Sequence, residues 1–94
     1  MRATLKGANM TNKQFFNEYC EFVPRKAFNG ETGTREYEKQ AKLCGQRYGV
    51  IMENPCAGQS IVFNFNDAAE VIRVAERFDP NLLYWQFYVV DWTK

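Results

Sequence analysis

Histidine is absent from the 94 residues of this chain. Its absence removes the side chain that most often serves as general base near neutral pH, as zinc ligand, and as partner of a Ser or Cys nucleophile. Cysteine is scarce as well: Cys20, Cys44 and Cys56 stand far apart, with no paired spacing of the kind that holds a metal. The chain also lacks a Gly-rich phosphate loop, a nucleophile elbow, a paired-carboxylate pattern and an apolar run of membrane-spanning length. These absences close most familiar enzyme chemistries. An enzyme here would have to rely on carboxylates or on Cys56, and nothing in the pattern recommends either. No catalytic residue, metal or cofactor is therefore expected. An odd cysteine count without a secretion signal predicts three free thiols in a reducing cytoplasm. Cys56, in the turn-like Asn54-Pro55-Cys56-Ala57-Gly58, is placed for exposure, but no cation in its sequence neighbourhood would activate it.

What the chain does have is the means to build one core: 46% of its residues are hydrophobic and 16% aromatic, at a length that suits a single domain. Its 12 basic and 11 acidic residues nearly cancel, which fits neither a strongly basic nucleic-acid binder nor an acidic DNA mimic. The charge is mildly dipolar, with seven basic against five acidic residues from Met10 to Gly49 and three against six from Val50 to Lys94. Residues 1–9 carry no periodicity and precede a second methionine, Met10. Lys6-Gly7-Ala8 can be encoded by a purine-rich stretch resembling a bacterial ribosome-binding site. The expectation is a flexible extension over 1–9 and a single domain over 10–94, with Ala3-Thr4-Leu5 as an ordered arm or edge strand in the alternative.

Thr11-Asn12-Lys13-Gln14 is a capping box leading into Phe15, Phe16, Tyr19, Phe22 and Val23, one face of a helix that Pro24 ends. Residues 25–33 read as a loop. Thr34 caps a second helix running to about Tyr48 with Gly49 at its left-handed exit; Tyr37, Ala41, Cys44 and Tyr48 form its apolar stripe, and Arg35, Lys39, Lys42 and Gln46 the opposite one. Val50–Glu53 and Ser60–Phe65 form a hairpin, with Ile61, Phe63 and Phe65 turned to the core. A third helix presents Ala68, Val71, Ile72, Ala75 and Phe78 and stops at Asp79-Pro80-Asn81. Leu82–Trp92 is the longest strand candidate, with Leu83, Trp85, Phe87 and Val89 as its buried face. The fold class is thus α+β in the order α-α-β-β-α-β. The expected sheet is three-stranded and mainly antiparallel, its first strand central and its helices mainly on one face.

Two patches are candidates for partner binding. The basic stripe Arg35, Lys39 and Lys42, with Gln46 in line and Arg47 on the flank, presents cations along a line that phosphates or an acidic groove can follow; read plainly, it is a solvated helix face. Tyr84, Tyr88 and Trp92 form an aromatic row on the even face of the last strand. If that face is open, the row can stack bases or anchor a protein. If helices cover both faces, it is core.

In its size, aromatic content, poverty of motifs and presumed bacterial translation context, the chain resembles the small phage-encoded proteins that disable host defences, anti-CRISPR inhibitors among them. No functional residue is carried over from the resemblance. It implies a non-enzymatic, stoichiometric inhibitor in the bacterial cytoplasm, a monomer or homodimer, that blocks a nucleic-acid path or subunit contact on a host protein or ribonucleoprotein complex. The alternative is a small nucleic-acid-binding accessory protein that uses the basic helix and the aromatic sheet face.

Overall fold

The computed structural model describes residues 11–26, 34–78 and 85–94. The extension over 1–9 and the predicted helix stop at Asp79-Pro80-Asn81 lie outside the described residues. Helix α1 spans Asn12–Glu18, strand β1 Cys20–Phe22, helix α2 Thr34–Cys44 and strand β2 Tyr48–Asn54. Strand β3 spans Gln59–Phe65, helix α3 Ala68–Phe78 and strand β4 Gln86–Asp91. The sheet is four-stranded and mixed, in the order β1-β4-β2-β3. β2 pairs antiparallel with both β3 and β4, as the hairpin and crossover pattern predicts, and β1 pairs parallel with β4.

The capping box forms as read: the Thr11 hydroxyl accepts from the Gln14 N–H, and the Gln14 side chain accepts from the Thr11 N–H at 3.0 Å. The helix it opens is shorter than its apolar pattern suggests. It ends at Glu18, and the residues expected to continue it form β1 instead, with Cys20 opposite Phe87 and Phe22 opposite Val89. Without β1, β4 would be an open edge carrying unpaired main-chain groups, and this distant pairing overrides the local helical period. Phe15 still packs edge-on against Phe87, ring centres 5.2 Å apart, and Phe16 meets Tyr48 at 4.9 Å.

Helix α3 follows its predicted face closely, burying Ala68, Val71, Ile72 and Ala75 together with Ala69. Phe78 at its end stays 51% exposed while tilting edge-on to Trp85. Its first turn is shared with α1: the Asn12 side chain accepts from the Ala68 N–H at 2.7 Å and donates to the Asn66 carbonyl at 2.9 Å. Helices α1 and α3 thereby cover one sheet face, over Val50, Met52, Phe65, Phe87 and Val89.

Helix α2 does not join them. Its Ala41, with Tyr37 beside it, packs on Ile51, Val90 and Trp92 on the opposite sheet face, so helices cover both faces, where the sequence pattern placed them mainly on one. The strand count also rises from three to four, and the helix ends at Cys44, with Gly45 at φ 67° rather than Gly49 as the left-handed exit. Tyr48, expected on the helical stripe, begins β2, and Cys44 is exposed. No helix among the described residues is long and apolar enough to cross a membrane.

Candidate functional site

Helix α2 stands on the sheet through its smallest residue. Ala41 is fully buried and lets the helix approach closely, while the Asn64 side chain of β3 donates to the Tyr37 carbonyl at 2.6 Å. The same side chain accepts from the Trp92 indole N–H at 2.9 Å. The Asn64 carbonyl accepts from the Gln46 side chain at 3.3 Å, and the Gln46 N–H donates back to Ala41 at 2.8 Å. Asn66 adds a bond from its side chain to the Gly45 carbonyl at 3.1 Å and accepts from the Arg47 N–H at 2.8 Å. Two asparagines of the β3 end therefore hold α2, Asn64 at the Tyr37 carbonyl in the body of the helix and Asn66 at the Gly45 carbonyl and Arg47 N–H just past its exit.

Trp92 lies under this arrangement. It is only 4% exposed, and its ring passes so close to Gly49 that a Cβ there would sit 2.9 Å from the indole Cζ2. This end of the expected aromatic row is core, beneath α2. Tyr88 is half-buried against the same cluster and donates its hydroxyl hydrogen to the Gln86 side chain at 3.0 Å. Tyr84 lies outside the described residues.

The expected basic stripe divides. Lys39 and Lys42 are exposed on the outward side of α2, Lys42 reaching Glu38 one turn back at 3.3 Å. Gln46 turns inward to Asn64. Arg47 leaves the stripe altogether: it pairs with Asp91 at 3.1 Å and lies over the Tyr48 ring, 5.2 Å from its centre. Arg35 belongs to α2 by its backbone, and its side chain lies outside the described residues. Glu38 also meets Arg25 at 3.2 Å, and Arg25 in turn donates to the Trp92 carbonyl at 2.9 Å and the Lys94 carbonyl at 3.3 Å. Beside the two lysines stands Leu43, 76% exposed. The sequence reading passes over Leu43, although a helical projection places it about 200° from the buried Ala41 and so squarely outward.

Three titratable groups among the described residues are displaced, and the hydrogen bond to Asp91 raises the first of them, Arg47. Burial pushes the Asp91 carboxyl up, but the hydrogen bonds from Arg47 and Thr93 and the Arg47 charge outweigh it and hold it at about 2. Burial pushes the Cys20 thiol up, which keeps it protonated and a poor nucleophile. All three cysteines are free, and the described residues contain no cluster of side chains able to hold a metal ion. What the arrangement offers is a firmly seated helix with an exposed face of mixed charge and apolar character. Comparison with protein-family models, curated proteins and solved structures finds no match for this chain.

Proposed function

We propose that the chain is a non-enzymatic binding protein that works stoichiometrically, with the outward face of α2 as its contact surface. The observation that carries this reading is the trio Lys39, Lys42 and Leu43: two exposed cations beside a leucine that stays in water. The packing side of α2 uses Tyr37 and Ala41, so none of these three packs in the core, and among the described residues Lys42 alone of the three makes a surface ion pair, with Glu38. Cations alone suit phosphates equally well, but an exposed leucine gains only from an apolar patch, and that favours a protein partner with an acidic rim over bare nucleic acid. The resemblance in size and motif poverty to anti-CRISPR inhibitors points to a host defence complex as the partner. In that setting the α2 face would occlude a nucleic-acid path or a subunit contact.

The test is affinity capture of the tagged chain from a bacterial lysate, with and without nuclease, beside two variants. Lys39→Glu/Lys42→Glu reverses the charge, and Leu43→Asp removes the apolar contact. The expected outcome is a nuclease-resistant partner whose affinity each variant lowers at least tenfold, about 1.4 kcal/mol, with melting temperatures close to wild type. A partner held equally by wild type and both variants excludes the α2 face. A nuclease-sensitive capture, lost in the charge-reversed variant and kept by Leu43→Asp, gives the nucleic-acid reading instead.

A further inference from the structure

Across the seam between β1 and β4, the Val89 carbonyl accepts from the Val23 N–H at 2.9 Å. The N–H and C=O of one strand residue point to one side, and successive residues alternate. Val89 and, by alternation, Phe87 thus face β1, and the intervening set faces β2, where Gln86, Tyr88 and Val90 oppose Glu53, Ile51 and Gly49. The other set in β2 is left for β3, which answers with Gln59, Ile61, Phe63 and Phe65. By this alternation Ser60, Val62 and Asn64 turn their main-chain N–H and C=O groups away from the sheet. One of these groups, the Asn64 carbonyl, takes the long Gln46 bond and keeps a second lone pair.

An edge strand of this kind is ordinarily blunted by charge, by proline, by a bulge or by shortness. β3 runs seven residues, Gln-Ser-Ile-Val-Phe-Asn-Phe, with no charged residue and no proline. Its register with β2 runs without a bulge from Tyr48↔Phe65 to Asn54↔Gln59. Ile61 and Phe63 on one sheet face and Val62 on the other are only half-buried, and among the described residues no strand lies beyond them.

We propose that this edge takes a second copy of the same chain, β3 against β3, antiparallel about a two-fold axis at Val62. The strand is its own complement. A two-fold at Val62 sets Ile61 opposite Phe63 of the second copy on the α1/α3 face, and Ser60 opposite Asn64 of the second copy on the α2 face, so β-branched meets aromatic and polar meets polar. A charged peptide would meet nothing in this strand to answer its charge. The result is one continuous sheet across two copies, with α2 of each left on the surface.

Sedimentation of the full chain across a concentration series, together with amide hydrogen exchange, tests this. The expected result is a concentration-dependent dimer in which the Ser60, Val62 and Asn64 amides exchange at least tenfold more slowly than at dilutions where the chain is monomeric. Ser60→Pro removes an N–H that points outward, at a position where edge strands tolerate proline. It should keep the native circular dichroism spectrum and raise the dimer Kd at least tenfold. A monomer at every concentration up to about 1 mM, the weak end of specific association, overturns the proposal. So does a dimer whose three amides exchange as fast as the monomer's, or slow exchange at these amides in the monomer. If Ser60→Pro fails to fold, the exchange measurement on the unaltered chain decides.

Discussion

Gly49 shows how one residue can be chosen by its neighbour across the sheet. It sits in β2 with Trp92 and Asn64 above it, and a Cβ would lie 2.9 Å from the indole ring and 3.1 Å from the Asn64 amide oxygen. The ring has no freedom to retreat, since α2 covers it and Asn64 holds its N–H. Gly49→Ala should therefore destabilise by about 1–3 kcal/mol, the scale of overpacking a filled core, read as a fall in melting temperature. Combining it with Trp92→Phe should cost less than the two changes summed, because the smaller ring relieves the same clash. Asp91 carries the pH dependence. Its carboxyl titrates at about 2 when folded against an ordinary 3.8, so the unfolded chain takes up the proton first as pH falls. The stabilisation is complete above about pH 5 and disappears as pH drops through 4 toward 2, at most about 2 kcal/mol for this shift. Urea melts of wild type and Asp91→Asn across that range should converge as pH falls. Parallel curves would show that the Arg47 pair contributes nothing.

At the scale of elements, α3 and the β2–β3 hairpin were legible because their apolar periods are clean and their partners lie close in sequence. Ile61, Phe63 and Phe65 all join the core cluster, and Asp67 caps α3 locally at the Ala69 N–H while the distant Asn12 adds the Ala68 N–H. Two boundaries were not legible. Phe22 and Val23 continue the period of α1, and only the parallel partner near Phe87 to Val89, more than sixty positions away, makes that stretch a strand. Tyr48 likewise continues the stripe of Tyr37, Ala41 and Cys44, and it is Gly45 at positive φ that breaks the helix first. The strand β1 can be followed through its own thiol. Cys44 and Cys56 are exposed, whereas burial keeps Cys20 protonated. A thiol reagent should modify Cys44 and Cys56 quickly in the native protein and the half-buried, protonated Cys20 much more slowly. Labelling of Cys20 as fast as that of Cys44 and Cys56 would show that β1 gives its thiol no protection.

For the molecule as a whole, the sequence reading places helices mainly on one face, and the structure covers both, with α2 on the face of Ile51, Val90 and Trp92. The alternating sides of β4 carried the contrary signal. Val90 and Trp92 are as apolar as Phe87 and Val89, and a strand apolar on both sides belongs to a sheet covered on both. The candidate site was legible in part: Lys39 and Lys42 could be placed from helical spacing, whereas the diversion of Gln46 to Asn64 and of Arg47 to Asp91 depends on contacts between distant segments. The strand order has a consequence for how the chain comes together. β4, which follows β1, β2 and β3 in the chain, lies between β1 and β2, and among the described residues β1 has no other strand beside it. As the chain is synthesised, the hairpin of β2 and β3 can form early, but β1 cannot join the sheet until β4 has threaded into the gap between them. Joining β1 to the sheet then carries a high loop-closure cost, which slows folding. Until that event the apolar sides of Phe15, Val50 and Met52 have no floor of Phe87 and Val89 to rest on, and the unfinished chain is the form most exposed to aggregation and proteolysis.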